Sequence, residues 1–367
     1  MELIKVMAVF GTRPEAIKMA PVVKELQKHQ NRIHTIVTLS AQHREMLDQV
    51  MELFEIKSDY DLNIMTYNQK LSGITCNVIQ GLEPVLEKEK VDFILVQGDT
   101  TTTFAASLIG FYHKIPVGHV EAGLRTYNKY NPFPEEINRV LTSSLSNVHF
   151  APTRLAKKNL LKEGIPEESV IITGNSVIDA FLMIVEKEGF FKKTLNHDYK
   201  KILVTAHRRE NWGKPLENIC NAILDIVTKH PDVKIVFPVH LNPNVQKTVY
   251  KLLGNHNRIK LTDPMGYRDI AECIADSHII LSDSGGIQEE APSLGKPVLV
   301  LRNETERQEG IDAGTCRLVG TEREKIVHEA DKLLTDSNQY LKMAQAVNPY
   351  GDGKTSQRIA EYIIEHF

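Results

Sequence analysis

The sequence has no marked excess of charge of either sign. Its 367 residues contain 44 Lys and Arg against 47 Asp and Glu, which gives a formal net charge of −3. A protein that binds duplex nucleic acid or an anionic membrane through a basic face carries a clear positive excess. We therefore expect neither nucleic acid nor a membrane among its partners.

Cysteine is scarce, and the sequence lacks the usual metal motifs. Cys76, Cys220, Cys273 and Cys316 form no CxxC pair, which predicts reduced thiols in or near the core of a cytoplasmic protein. The 14 histidines form neither HxH nor HExxH. The GDTTTT segment at 98–103 also lacks the GK that a P-loop requires. We expect no metal and no cofactor.

Long hydrophobic runs are missing as well. No apolar run approaches the roughly 20 residues of a membrane-spanning helix, and the first 21 residues do not have the pattern of a signal peptide. The 42% apolar and 25% charged composition is that of a globular protein. We expect a soluble, cytoplasmic protein, long enough for two domains.

Short apolar runs alternate with segments of helical period along the whole chain. Helices are predicted at 14–29, 73–88 and 102–113. Strands separated by helices form βαβ units and parallel sheets. Because the predicted strands are too many for one doubly wound sheet, we expect two Rossmann-like sheets. The predicted strands are 3–10, 33–38, 92–96, 117–120, 170–173, 202–205, 233–238, 278–282 and 297–301.

The polar stretch 162–169 marks the expected domain boundary. It divides the chain into a first domain, 1–170, and a second, 171–352. Residues 353–367 carry apolar side chains at helical spacing, among them Ile359 and Ile363, and predict a helix that returns to the first domain.

Ligands of open parallel sheets bind beyond the carboxyl ends of the strands, and two cations follow the first strand. Arg13 and Lys18 lie at the start of a predicted helix, whose first amides favour an anion such as a phosphate. A capped helix with two solvated cations explains the same pattern.

Several carboxylates follow later strands of the first half. Asp99 and Glu121 each end a strand, and Glu135 starts a helix four residues before Arg139. Alone, Asp99 is a common helix N-cap and Glu135–Arg139 a common surface pair. Together in one crevice they form a set that can supply an acid and a base.

The second half has matching features. His207 follows the strand at 202–205, although a packing histidine is the commoner role for a single His. Ser284, Gly285 and Gly286 offer a hydroxyl and unobstructed amides that suit a diphosphate, and Glu290 could accept ribose hydroxyls. We expect the second domain to hold a nucleotide and the first to present carboxylates to the other end of the ligand.

Seven ordered motifs closely resemble the non-hydrolysing UDP-N-acetylglucosamine 2-epimerases of bacteria and archaea. They lie at 10–21 (FGTRPEAIKMAP), 98–103, 119–125 (HVEAGLR), 134–139, 205–211 (TAHRREN), 283–292 (DSGGIQEEAP) and 348–353. The resemblance covers nearly the whole chain. It implies a glycosyltransferase-B type fold, with two Rossmann-like domains facing a cleft, and a homodimer without metal or redox cofactor.

The resemblance also implies the reversible conversion of UDP-GlcNAc to UDP-ManNAc for cell-envelope polysaccharide, and it assigns site residues. The catalytic positions it implies are Asp99, Glu121, Glu135 and His207. The substrate-binding positions it implies are Arg13, Lys18, Arg139, Met265, Ile270, Ser284, Gly285, Gly286, Glu290 and Arg307.

Many bacterial members of this family are activated by UDP-GlcNAc. The matching effector candidates are Gln42, His43, Glu136, Arg208 and His240. Asn68 stands where the family has Arg, which puts activation in doubt, and Gln308 replaces a usual Pro.

Other functions remain open. A glycosyltransferase of the same fold would need an acceptor groove and would leave the carboxylates largely unexplained. An inactive UDP-sugar sensor would not need the intact catalytic set. The same chemistry on another UDP-N-acetyl sugar, or a hydrolysing epimerase, is also compatible with this pattern.

Overall fold

The structure is a computed structural model that describes residues 3–40, 44–65, 69–190 and 198–367. The chain forms two compact units. One is Met1–Ala180 together with Tyr350–Phe367, and the other is Phe181–Pro349.

The first unit is built on a parallel sheet with strand order β3-β2-β1-β4-β5-β6-β7. The central strand β1 is almost entirely buried, as expected for a parallel sheet covered on both faces. The strands are β1 (Ile4–Phe10), β2 (Ile33–Leu39), β3 (Tyr60–Asp61), β4 (Phe93–Gln97), β5 (Val117–Val120), β6 (Val148–Ala151) and β7 (Val170–Ile172).

Helices connect these strands. The first, α1, has an N-terminal capping box in which Thr12 and Glu15 exchange hydrogen bonds with each other's backbone amides. The helices are α1 (Arg13–Lys28), α2 (Arg44–Leu53), α3 (Leu71–Glu89), α4 (Thr101–Tyr112), α5 (Glu135–Leu145), α6 (Arg154–Lys162) and α7 (Ser176–Lys187).

The second unit repeats the architecture with a parallel sheet of order β10-β9-β8-β11-β12-β13. Its strands are β8 (Lys200–Thr205), β9 (Val233–Pro238), β10 (Ile259–Thr262), β11 (Ile279–Ser282), β12 (Val298–Val300) and β13 (Cys316–Leu318). Its helices are α8 (Lys214–Lys229), α9 (Pro243–Leu253), α10 (Tyr267–Ala275), α11 (Gly285–Glu290), α12 (Gln308–Asp312), α13 (Arg323–Thr335) and α14 (Ser337–Ala344). Its core contains the inner faces of α8 and α13.

The predicted class of two parallel α/β sheets is confirmed, and each predicted strand has a counterpart. The domain boundary differs from the expected position. Strand β7 pairs with β6, so it closes the first sheet instead of opening the second, and the first unit extends to Ala180. A strand's own pattern does not reveal its pairing partner, which is why the polar stretch before β7 indicated a boundary too early.

The C-terminal helix α15 (Thr355–His366) belongs to the first unit, as predicted. It packs against α1. The ring of Phe367 lies 4.6 Å from that of Phe93, and Arg32 donates a hydrogen bond of 3.2 Å to the carbonyl of Ile364. The apolar stripe of the helix therefore faces the first sheet's helical layer.

In the part of the chain that the structure describes, no helix is both long and apolar enough to cross a membrane. All four cysteines are free thiols, as expected. Cys220 and Cys316 are buried, but Cys76 is exposed on α3, contrary to the expected position in or near the core.

Candidate active site

The loop after β1 is held by a buried carboxylate. Glu15 accepts hydrogen bonds from the amides of Gly11 (3.1 Å) and Thr12 (2.8 Å) and from the hydroxyls of Thr100 (2.6 Å) and Thr103 (3.1 Å). Burial raises the pKa of Glu15, and hydrogen bonds from Thr100, Thr12 and Gly11 oppose this by favouring the ionised form. The loop thus enters α1 in a fixed conformation.

Lys18, one turn further along α1, forms an ion pair with Glu121 at the end of β5. Glu121 has a left-handed backbone, with φ of 64°, and also accepts a hydrogen bond of 3.2 Å from Gln97. Non-glycine residues adopt this conformation at a cost, and such strain is found most often at functional sites. One predicted cation, on the helix after β1, and one predicted carboxylate, after β5, therefore meet at the same edge of the sheet.

Asp99 follows β4 and forms an ion pair with Arg139 of α5. Its backbone carbonyl accepts a hydrogen bond of 3.0 Å from Asn138. Burial raises the pKa of Asp99, as does the neighbouring charge of Glu121, whereas Arg139 lowers it. The structure thus brings together Lys18, Asp99, Glu121 and Arg139, four of the predicted site residues.

Arg13 and Glu135 also lie in the first unit. Arg13 is exposed on the first turn of α1, and Glu135 is half-buried at the first position of α5. Within the described ranges, neither side chain has a hydrogen bond or an ion pair. Both are therefore available to a ligand.

His119 lies fully buried on β5. Its Nε2 lies 2.7 Å from the carbonyl oxygen of Gly98, the residue before Asp99. Burial lowers the pKa of His119 to about 3, so the ring is neutral and donates this hydrogen bond as Nε2–H. This hydrogen bond fixes the residue that precedes Asp99.

In the second unit, a buried aspartate anchors the loop after β8. Asp283 Oδ2 accepts hydrogen bonds from the backbone amides of His207 and Arg208, each at 2.8 Å, and from the side-chain amide of Asn211 at 2.9 Å. Asp283 Oδ1 lies 2.9 Å from His207 Nδ1. Burial by itself raises the pKa of Asp283, but His207 and the amides outweigh it and hold the pKa below its usual range.

The glycine turn after β11 leads into α11. A Cβ on Gly285 would lie 3.4 Å from the guanidinium of Arg307, and one on Gly286 would lie 4.0 Å from Glu290 Oε2. Arg307 is oriented by a hydrogen bond of 2.7 Å to Glu289. Ser284, Gly285, Gly286, Glu290 and Arg307 therefore lie close together at the end of the second sheet.

Glu290 is buried and accepts a hydrogen bond of 2.9 Å from the hydroxyl of Tyr267. Burial and the carboxylates of Glu290 and Glu289 raise the pKa of Tyr267 well above its usual value, so the phenol remains a donor. Ile270 lies half-buried on the same helix, α10, and Met265 two residues before that helix, with its sulfur 3.6 Å from that of Cys273.

The effector candidates separate into different environments. Glu136 is buried and accepts hydrogen bonds from the backbone amides of Thr126 and Tyr127. It also forms an ion pair of 3.2 Å with Arg139. The rings of His207 and His240 stack with their centroids 6.1 Å apart. Arg208, the residue after His207, is half-buried, whereas Gln42, His43 and Asn68 lie outside the described residues.

A metal centre was not expected, and none of the described side chains of His, Cys, Asp and Glu form a group that could hold a metal ion.

Comparison with known proteins decides the family. The family model described as UDP-N-acetylglucosamine 2-epimerase matches residues 24–364. The UDP-N-acetylglucosamine 2-epimerase of Bacillus subtilis is 54% identical over 369 residues, covering 100% of this chain and 97% of the relative. That of Escherichia coli K12 is 52% identical, covering 97% of each. The chain belongs to the UDP-N-acetylglucosamine 2-epimerase family.

A solved structure of this epimerase family supports the fold assignment. The enzyme of Neisseria meningitidis, determined bound to UDP-GlcNAc, superposes with a TM-score of 0.85 at 55% identity, covering 99% of this chain and 100% of that one. The predicted glycosyltransferase-B type fold of two Rossmann-like units is therefore confirmed.

Sequence reasoning did not assign roles to Glu15, His119, Asp283 and Tyr267, although the first three fall inside motifs of the epimerase family. Asp283 could have been found, because it directly follows a strand as Asp99 does. Tyr267 gave no signal, since its contact with Glu290 joins residues far apart in the chain.

Proposed function

We propose that this chain catalyses the reversible epimerisation of UDP-GlcNAc to UDP-ManNAc at C2. The observation that carries the proposal is the pair of ion pairs at neighbouring strand ends of the first unit, Lys18 with Glu121 and Asp99 with Arg139. The relative from Neisseria bound to UDP-GlcNAc supports the choice of substrate.

The chemistry explains the need for more than one carboxylate. The C2 proton of an N-acetylhexosamine is too weakly acidic for simple removal. In anti elimination a base takes this proton as the C1–O bond breaks, so that UDP leaves with the electron pair and 2-acetamidoglucal remains. Re-addition of UDP to C1, with a proton delivered to the opposite face of C2, gives the epimer. The route needs a base on one face and an acid on the other.

Asp99, Glu121, Glu135 and His207 are the proposed catalytic residues. Two nearby carboxylates in different environments can divide the acid and base roles. Burial raises the pKa of Asp99, which suits a group that holds a proton during part of the cycle.

The second unit is the proposed UDP half of the site. The diphosphate would receive hydrogen bonds from the hydroxyl and amides of Ser284, Gly285 and Gly286. Glu290 would accept hydrogen bonds from the ribose hydroxyls. Arg307, Met265 and Ile270 complete the proposed nucleotide contacts. Arg13, Lys18 and Arg139 would stabilise the charge of the departing diphosphate, and closure would keep UDP beside the glucal.

The setting of the enzyme is proposed from the family resemblance. We infer a cytoplasmic homodimer that supplies UDP-ManNAc for cell-envelope polysaccharide. An effector role for Gln42, His43, Glu136, Arg208 and His240 stays a prediction, as does the weak activation suggested by Asn68. An activated enzyme would show a lag that added UDP-GlcNAc relieves. A progress curve without such a lag would support the loss of activation.

The test is proton NMR of the whole chain incubated with UDP-GlcNAc in D2O. UDP-ManNAc with deuterium at C2, formed without acceptor, metal or nicotinamide, is the expected result, and Asp99→Asn should abolish it. Asp225→Asn, which alters an exposed ion pair with Arg323, serves as the matched control. Intact UDP-GlcNAc that keeps its C2 proton would refute the proposal, and turnover of another UDP-N-acetyl sugar would correct the substrate.

A further inference from the structure

Glu15 joins two segments that each carry a predicted site residue. The side chain is 1% exposed and accepts four hydrogen bonds, two from each segment. Gly11 and Thr12 lead directly to Arg13 and Lys18. Thr100 directly follows Asp99, and the Thr103 hydroxyl shares its single proton between Glu15 at 3.1 Å and the carbonyl oxygen of Gln97 at 2.7 Å.

The contact surface between these segments is tightly packed. A Cβ on Gly11 would lie 1.8 Å from Ser40 Oγ, and Ser40 forms a hydrogen bond of 2.8 Å with Thr102. The first segment therefore cannot move independently of the second while the Glu15 contacts hold. Asp99 itself is fixed on its other side by Arg139 and Asn138.

We infer that Glu15 is a positioning residue, which sets Asp99 against the cationic segment of Arg13 and Lys18 through these four hydrogen bonds. The inference rests on the proposed function, since it names a residue that prepares the same site. Glu15 is too buried to touch the substrate, so it acts through the residues on either side of it. A misplacement of about 1 Å in such a site can cost about 100-fold in rate.

The donors around Glu15 indicate which substitution preserves the arrangement. The amides of Gly11 and Thr12 can only donate, whereas the hydroxyls of Thr100 and Thr103 can donate or accept. In Glu15→Gln the side-chain oxygen can face the amides while its NH2 group donates to the hydroxyls. In Glu15→Ala the amides of Gly11 and Thr12 lose their acceptor, and the link to Thr100 and Thr103 is lost.

The test compares Glu15→Ala, Glu15→Gln and Leu86→Ala with the unsubstituted chain. Leu86 is buried in the core near the end of α3, where its loss creates a cavity that lowers stability away from the site. We expect kcat of Glu15→Ala to fall by about 10- to 100-fold. Glu15→Gln should recover most of this loss, and Leu86→Ala should stay within about twofold.

Hydrogen exchange of residues 97–103 provides a readout that does not depend on turnover. Faster exchange there in Glu15→Ala, but not in Leu86→Ala, is expected. Unchanged kcat in Glu15→Ala, or an equal loss in Leu86→Ala, would overturn the inference. If the unsubstituted chain itself converts no UDP-GlcNAc, the proposed function fails, and unchanged exchange would then separately refute the link through Glu15.

Discussion

His207 and Asp283 are joined through both the side chain and the backbone. The Nδ1 atom of His207 lies 2.9 Å from Asp283 Oδ1, and its amide donates to Asp283 Oδ2 at 2.8 Å. Because Asp283 is fully buried and its pKa is held low, the pair is a carboxylate that orients an exposed imidazole. Among the described residues, none forms a hydrogen bond with the other ring nitrogen, Nε2, so it can face a ligand.

Asp283→Asn should lower kcat by about 100-fold or more while leaving the fold intact. Three donors already face Oδ2, so the side-chain oxygen of the new amide would have to occupy that position. Its NH2 group would then face His207 Nδ1 and force the proton onto Nε2. Kinetics and nitrogen NMR of the histidine ring measure the two effects, and an unchanged tautomer with normal kcat would contradict the assignment. Asp225→Asn is the control, because its partner Arg323 is exposed.

Arg139→Gln should move the pH profile of kcat/KM. Burial raises the pKa of Asp99 and Arg139 lowers it, so removal of the guanidinium raises that pKa further. Whichever limb of the profile reports Asp99 should therefore move to higher pH, with kcat reduced by about tenfold or more. Lys157→Gln, which breaks an ion pair with Glu167 in the same unit, should leave the profile in place. A profile that does not move would show that Asp99 does not titrate during turnover.

Tyr267→Phe should weaken UDP binding by about two- to tenfold, the effect of losing one hydrogen bond. The Tyr267 hydroxyl holds Glu290 Oε1 at 2.9 Å in the orientation proposed for ribose recognition. Calorimetric titration with UDP measures the change. Tyr340→Phe is the matched control, because Tyr340 is also partly buried in the second unit and its ring stacks on His278. Equal affinities of the two variants for UDP would contradict the proposed role of Glu290 in binding the ribose.

The fold could be predicted from the sequence where strands are long and buried. Central strands such as β1 and β4 are continuous apolar runs, because helices cover both faces of the sheet. The missed strands, β3, β6, β10 and β13, have two to four residues, too few to show a period. Neither pairing partner nor sheet membership could be predicted for β7, since both depend on contacts with distant residues.

The positions of the candidate side chains at strand ends could be predicted from the sequence, but the pairs they form could not. The strand-end rule located Asp99, Glu121 and Ser284 because a carboxyl end of a parallel strand is where ligands bind. It could not show that Arg139 pairs with Asp99 instead of with Glu135 four residues before it. Such pairings depend on how α5 lies against β4, which no local pattern contains.

Acid should destabilise the first unit through His119. The pKa of His119 is about 3 in the folded chain and about 6.5 in the unfolded chain. At a pH between these two values, the unfolded chain therefore binds one more proton than the folded chain does. Stability therefore falls as pH falls, by about 1.4 kcal/mol for each pH unit in this window. From pH 6 to pH 4.5 this amounts to about 2 kcal/mol for His119 alone.

His119→Gln should abolish that part of the pH dependence, because glutamine can donate to the Gly98 carbonyl without taking up a proton. Urea denaturation at pH 6 and pH 4.5 measures it, with a smaller midpoint difference expected for the variant. His34→Gln is the control, since His34 is exposed on β2 of the same sheet. His149 and His278, whose pKa values burial also lowers, leave a residual slope in both variants. An equal slope in His119→Gln and the unsubstituted chain would mean that the folded protein protonates His119 as readily as the unfolded one does.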